Sequence, residues 1–504
     1  MERIAIIDLG SNSARIVIAE VSEGGYFSVI DELKEPVRLA KGMEIDGFLK
    51  PLRIAQTLRT LKTFKTLYES HNVDKVFAYG TAAVRMANNR NAFVEEVESA
   101  CGIKLQVLSQ EEEAALVYTG VINSMEIPKG LIIDIGGGST KMIYYNRRTL
   151  ISQDTLPFGA VTITEKFAEI ENAEARAHAI EEYVGKYLDE NVAWVKDIDP
   201  ETKLVGVGGS IRNLGRISRK LKNYPLNMAH NYTVSFAEFD TIYDTIKPLT
   251  LELMARIKGL SSARADIFPA ALSIIEAIKK ITNFEEITIG GAGLREGAMF
   301  RYAVPSVVEK PISDITGHGI YTLLNKFDLN IKHCEHVYDL SMQLFKQLRV
   351  LHKLPRPYVK ILRVASMLHD LGTKFKFYDH HKHSMYLIMN SNLYGIPQKD
   401  LVMASLVAGC HEKESLEDLG MEKYIAMLNE DEVEAVKKLG VIVRIAECFE
   451  RGKGGLITEI VCDVLGDSVI MKTKSTGDIT LEIKNAMYAY PEFKRAFKKT
   501  LEIL

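Results

Sequence analysis

Asp8-Leu9-Gly10-Ser11-Asn12-Ser13, preceded by the apolar run Ile4-Ala5-Ile6-Ile7 and followed by Ile16-Val17-Ile18-Ala19, reads as strand, tight turn, strand. The pattern returns as Leu131-Ile132-Ile133-Asp134-Ile135-Gly136-Gly137-Gly138-Ser139-Thr140, followed by Met142-Ile143-Tyr144-Tyr145. At one constant offset Asp134 matches Asp8, Gly136 matches Gly10 and Ser139 matches Ser13. A duplicated hairpin and loop implies two similar lobes facing one another. Each loop offers bare backbone N–H groups and hydroxyls, which suit phosphate oxygens, and each follows an Asp at a strand end. One such loop is more often a plain turn; two copies point to an anion grip. The glycine-rich stretches Gly206 to Ser210 and Gly290 to Gly297 add to the set.

At 504 residues the chain is too long for one ordinary core, so several domains are expected. The composition, 47% hydrophobic and 26% charged, is that of a soluble globular protein. A formal net charge of −3 means that any positive field for a polyanion must be local. Cys101, Cys334, Cys410, Cys448 and Cys462 are scattered and contain no CxxC pair, which favours free thiols over a disulfide framework or zinc ribbon. Met1-Glu2-Arg3-Ile4 runs straight into a strand, and no membrane-spanning apolar run is present, so the expected location is cytoplasmic.

Between the two hairpins the pattern predicts a helix over 52–70, a strand over 73–79, a helix over 92–100 closed by Gly102, a strand over 104–108 and a helix from Gln110. The second half continues through a helical 172–196, the strand Leu204 to Val207, the loop Gly208-Gly209-Ser210 and the strand Glu286 to Ile289. Pro305 and Pro311 bracket a linker. Beyond it, 315–452 is helical in pattern and carries most of the twelve histidines. The stretch 457–486 alternates as strands do, at Val469-Ile470-Met471 and at Ile479-Thr480-Leu481-Glu482-Ile483.

Taken in order, Asp8 to Ser13, Gly80-Thr81-Ala82-Ala83-Val84-Arg85, Ser109 to Ala114, Ile133 to Thr140, Gly208-Gly209-Ser210 and Leu294-Arg295-Glu296-Gly297 resemble the exopolyphosphatase/guanosine pentaphosphatase family. That family belongs to the actin-like, sugar-kinase-like superfamily. The motifs span about 1–304, and the helical remainder is similar to the family's long members. The fold so implied is α/β: actin-like, ribonuclease-H-like lobes at 1–124 and 125–304 around a cleft, with the last helix packing back on the first lobe. A helical HD-like domain at 312–455 and a small α+β tail at 456–504 follow. The implied activity is release of terminal orthophosphate from inorganic polyphosphate, or of the 5′-phosphate from pppGpp, with Mg²⁺ or another divalent cation. A homodimer is implied as well; no DNA partner is expected.

By the same resemblance Glu113 is the catalytic base, orienting and deprotonating a water for in-line attack. Read without the family, Glu111 to Glu113 simply favour a helix N-terminus. Arg85 would neutralise the transferred phosphoryl group, and Asp134 would bind metal or a phosphate-bound water, with Asp8 as its counterpart. The phosphate-binding set is Gly10, Ser11, Asn12, Ser13, Gly136, Gly137, Gly138, Ser139, Gly208, Gly209, Ser210 and Arg295; the cation set is Asp8, Asp134 and Glu113. One departure stands out: Lys141 occupies the place after the second loop where the family usually has Glu, and Arg15 is its match in the first lobe. An ammonium cannot hold a cation. Either other carboxylates bind the metal or Lys141 contacts phosphate, and an altered Mg²⁺ dependence is expected.

His369-Asp370 with His333 upstream is the signature of HD-type metal phosphohydrolases, with Glu447 where the final Asp normally stands. The domain then either binds a metal or serves as structure or substrate channel. Arg212, Arg216, Arg219, Lys220 and Lys222 follow the Gly208 loop and are placed to guide a polyanion; as solvated helix faces they would be unremarked, as would Lys494, Arg495, Lys498 and Lys499. Other readings are an actin-like ATPase that polymerises or regulates a partner, and a non-catalytic polyphosphate or alarmone sensor. The Glu113 position and the HD-like tail argue against the first.

Overall fold

β1 (Glu2–Leu9) is apolar at consecutive positions because both faces of its sheet are covered. Ala5, Ile7 and Leu9 share a core with Leu61 and Phe64 of the helix Pro51–Ser70, whereas Ile4 and Ile6 share another with Leu116, Ala298 and Met299. β1 pairs antiparallel with β2 (Ala14–Val21), and β2 with β3 (Phe27–Glu35). On its other side β1 runs parallel to β4 (Lys75–Gly80), which runs parallel to β5 (Leu105–Val107), giving the order β3-β2-β1-β4-β5. This is a computed structural model, and it describes residues 1–412 and 416–504.

The second sheet repeats the plan. β6 (Lys129–Ile135) pairs antiparallel with β7 (Thr140–Asn146), and β7 with β8 (Thr149–Leu156). β9 (Lys203–Val207) lies parallel to β6; at the far edge β10 (Tyr232–Ser235) pairs antiparallel with β11 (Glu286–Ile289), which is parallel to β9. The order β8-β7-β6-β9-β11 therefore reproduces that of the first sheet, and β10 is an addition. These are the two actin-like lobes of an α/β protein.

The helix Gln110–Ile122 sits between the sheets. Leu116 joins the core under β1, while Ala114, Val117 and Val121 join Ile132 and Val205 of the second sheet. Its start is fixed by a reciprocal cap: Ser109 Oγ accepts from Glu112 N at 3.1 Å, and the Glu112 carboxylate accepts from Ser109 N at 2.8 Å. The helix Leu294–Ala303 packs against it and against β1. The two backbones touch because Gly297 and Gly120 lack side chains. A Cβ on Gly297 would lie 1.9 Å from Leu116 O, and one on Gly120 would lie 2.3 Å from Gly293 O. Gly297→Ala is therefore expected to cost about 1–3 kcal/mol, read as a lower midpoint in thermal or urea unfolding. An unchanged midpoint would contradict this packing.

The chain divides into compact units at Met1–Ile315 and Thr316–Leu504. The second unit is built on the helices Ile331–Gln347, Tyr358–Leu368, His380–Met389, Gln398–Gly409 and Glu430–Phe449. A small sheet follows: β12 (Ile457–Val464) antiparallel to β13 (Ser468–Ser475), and β13 parallel to β14 (Thr500–Ile503). The strand expected at Ile479 to Ile483 is instead the helix Thr480–Met487. Glu482 and Ala486, four residues apart, are its buried positions, and Leu481 is exposed, which is helical spacing. Among the described residues no helix is long and apolar enough to cross a membrane.

Candidate active site

The two loops have the same internal geometry. Gly10 N donates to Ser13 O at 3.2 Å, and Gly136 N donates to Ser139 O at 3.0 Å. Across the first hairpin Asp8 faces Arg15; across the second Asp134 faces Lys141. The loops meet directly. A Cβ on Gly137 would fall 2.8 Å from Ser11 Cβ, and one on Gly138 would fall 2.8 Å from Ser11 Oγ. Only glycine permits that approach. Between the lobes lies a cavity of about 120 Å³. Of the candidate site residues and cations singled out from sequence, it is lined by Asp8, Gly10 to Ser13, Arg15, Glu113, Asp134, Gly136 to Ser139, Lys141, Gly208, Gly209, Arg212 and Arg295.

Two of the expected residues lie behind the wall. Arg85 is in the short helix Ala82–Met86, with Nη1 donating to Glu113 Oε2 at 2.9 Å and to Leu108 O at 2.8 Å. Its Nε and Nη2 are buried without a partner, as is Ser139 Oγ in the second loop. Ser210 is a correction. The helix Gly209–Leu221 begins two residues earlier than a Gly208-Gly209-Ser210 loop would allow, and Ser210 is fully buried within it. Its hydroxyl accepts from Arg264 Nη1 at 3.3 Å, so it positions an arginine and does not face the cavity.

Glu113 is the most constrained carboxylate of the site. Lys141 Nζ donates to its Oε1 while Arg85 holds Oε2, and Lys141 also lies 3.9 Å from Asp134 Oδ2. Burial alone would raise the Glu113 carboxyl; Lys141 and Arg85 outweigh it and hold the group below its ordinary range. Burial likewise opposes the Lys141 ammonium, but Glu113 and Asp134 raise it. Asp134 and Asp8 are pushed up, chiefly by burial.

The resemblance implies a divalent cation on Asp8, Asp134 and Glu113. These residues do not fit that ion as a set, because the Lys141 ammonium already lies between Glu113 and Asp134. Among the described residues, the side-chain groups with ligand atoms close enough to hold a metal are all in the second unit.

The cavity's positive charge comes from Lys141 and four arginines, of which Arg264 alone was not marked in the sequence. Arg15, Arg212, Arg264 and Arg295 all line it. Burial and neighbouring arginines lower Arg15 to about 10; burial, then Arg15, lowers Arg264 to about 10. Lys34 on β3 is lowered to about 8 by burial and by this cluster. Crowded cations of this kind favour an incoming anion. Arg264 escaped notice because it sits in a single helical turn, Ser262–Arg264, far along the chain. Gly209 accommodates it, since a Cβ there would lie 2.2 Å from the guanidinium.

In the second unit His333, His369 and Asp370 come together as a possible ligand group, and Asp370 also groups with His380 and His411. Glu447 belongs to neither group. Its carboxylate is drawn one helical turn onward to Arg451, 3.5 Å away.

Fold and site together define a two-lobed actin-like protein with an arginine-rich cleft. A sequence profile of the Ppx/GppA phosphatase family matches residues 17–304, and one of Ppx/GppA phosphatase domain III matches residues 315–487. The chain belongs to this family. It is 27% identical over 463 residues to the guanosine-5′-triphosphate,3′-diphosphate pyrophosphatase of Aeromonas hydrophila, across 89% of this chain and 88% of the relative. The exopolyphosphatase of Cytophaga hutchinsonii matches 60% of this chain and 98% of its own (TM-score 0.56, 24% identity), a likeness of fold. The Aquifex aeolicus Ppx/GppA family member matches 60% and 98% (TM-score 0.52, 27% identity).

Proposed function

We propose that the cleft hydrolyses the terminal phosphoanhydride bond of inorganic polyphosphate. The observation that carries this reading is unspent donor capacity beside an ionised carboxylate. Two N–H-bearing nitrogens of Arg85, which pairs with Glu113, are buried without partners, as is Ser139 Oγ in a loop lining the same cavity. A carboxylate has about four lone-pair sites, and Lys141 and Arg85 take two, so Glu113 keeps the capacity to accept a proton from a water. That water attacks the terminal phosphorus in line; the P–O bond to the rest of the chain breaks, and the shortened chain leaves as an anion. The loop Gly136 to Ser139 holds the transferred group, Arg85 and Lys141 offset its charge, and Asp134 keeps Lys141 in place. Arg15, Arg212, Arg264 and Arg295 hold the remaining phosphates.

A polymer of phosphate suits the cavity lining, which among the described residues includes four arginines and no aromatic side chain on which a purine would stack. A second reading, removal of the 5′-phosphate from pppGpp, is favoured by the similarity to the Aeromonas hydrophila pyrophosphatase. Purified protein offered long-chain polyphosphate and pppGpp separately distinguishes them. The first reading expects a higher kcat/KM for polyphosphate, and a clear preference for pppGpp would replace it with the second. Arg212→Ala is expected to raise KM for polyphosphate by roughly tenfold or more, from loss of a charge-assisted contact, with a smaller change in kcat.

A further inference from the structure

The second unit holds a set of side chains for which the cleft chemistry has no use. His369 follows the helix Tyr358–Leu368, His380 begins the helix His380–Met389, and His411 lies just beyond Gln398–Gly409. In all three, Nδ1 bonds a backbone carbonyl three residues earlier: His369 to Ser366 O at 2.8 Å, His380 to Phe377 O at 3.0 Å and His411 to Ala408 O at 2.6 Å. A carbonyl only accepts, so each Nδ1 carries the proton and each neutral ring presents a bare Nε2 lone pair. This carbonyl-to-imidazole arrangement is the one that orients histidine for a metal.

The Nε2 atoms converge on Asp370. Its Oδ1 lies 3.7 Å from His369 Nε2 and 3.4 Å from His380 Nε2, and its Oδ2 lies 3.5 Å from His333 Nε2. His380 and His411 face one another, Nε2 to Nε2, at 2.9 Å. With both Nδ1 atoms protonated, two lone pairs oppose each other there unless a cation lies between. His369 Nε2 is a buried acceptor with no hydrogen-bond partner, and the buried His333 ring lies between two carboxylates, its Nδ1 3.9 Å from Glu450 Oε1. Unsatisfied buried acceptors beside a carboxylate are costly without a ligand. Lys453 reaches Asp370 Oδ2 at 3.2 Å, but its side chain is half exposed and swings aside at little cost.

We propose that His333, His369, Asp370, His380 and His411 form a binding site for a divalent transition-metal ion, with Asp370 as the ligand shared between its two halves. Imidazole nitrogens with one carboxylate select borderline ions such as Zn²⁺, Mn²⁺, Fe²⁺ or Co²⁺ over Mg²⁺, which takes oxygen ligands. The site owes nothing to Glu447, and it stands whatever the cleft's substrate proves to be.

The test uses the untagged full chain, loaded with Zn²⁺ or Co²⁺, dialysed against excess Mg²⁺ and analysed for metal. The expected result is about one or more transition-metal ions per chain, visible d–d bands for the Co²⁺ form, and a thermal midpoint that falls on chelation and returns with Zn²⁺. His411→Gln and Asp370→Asn, each checked for folding by circular dichroism, are expected to lower loading at least tenfold. Wild type that retains under about a tenth of an ion per chain overturns the proposal without recourse to any variant. So does a folded Asp370→Asn protein that binds as much metal as wild type.

Discussion

Glu113→Gln is expected to slow phosphate release by about 10²–10⁴-fold, the contribution of a positioned general base. The amide keeps the side chain's shape and accepts from Arg85, but it cannot take a proton from water. It also leaves Lys141 buried with Asp134, at 3.9 Å, as its remaining acid. Some loss of stability therefore accompanies the loss of rate, so the comparison is made on folded protein at saturating substrate. A fall in kcat with binding retained supports Glu113 as base. Release equal to that of wild type assigns the step to another group. No release from either protein supports the non-catalytic reading.

Lys141→Met removes one of the two cations that keep Glu113 ionised. The Glu113 carboxyl, held below its ordinary value of 4.5 in wild type, is then opposed by burial with Arg85 alone in its favour, and its pKa rises. The sign follows. In wild type the base is ionised, and its ion pairs contribute stability, above the ordinary carboxylate pKa; both are lost as pH falls through the lowered value. In the variant the acid limb of kcat/KM moves to higher pH. Breaking a buried pair also costs on the order of 3–5 kcal/mol. Lys141→Glu tests the same residue from the other side. It sets a third carboxylate beside Asp134 and Glu113, and activity is expected to depend more steeply on Mg²⁺ than in wild type. An unmoved acid limb together with an unchanged Mg²⁺ titration would mean that Lys141 has no part in the site.

The duplicated lobes were legible in sequence because strand periodicity and a repeated loop are local signals, and five strands of the second sheet repeat the order of the first. The loops themselves were legible too, since glycine at Gly137 and Gly138 answers to a close approach that no other residue permits. The role of Lys141 was not. Sequence marked it as a departure and offered phosphate contact or displaced metal binding, whereas in the structure its ammonium joins Glu113 to Asp134. That pairing depends on the helix Gln110–Ile122 lying between the sheets, a tertiary fact. Arg264 was hidden for the same reason, as was the replacement of Glu447 by His380 and His411 around Asp370. Alternation misled at Ile479 to Ile483 because a short run with apolar residues at every second position also satisfies a helix that buries Glu482 and Ala486.

The most direct test of the account is hydrolysis of long-chain polyphosphate in ¹⁸O-labelled water, with mass analysis of the orthophosphate released by wild type and by Glu113→Gln. One solvent oxygen is expected in each phosphate released by wild type, with release slowed by at least about a hundredfold in the variant. Wild type that releases no labelled phosphate from polyphosphate or pppGpp, or a variant that releases it as fast, would contradict it.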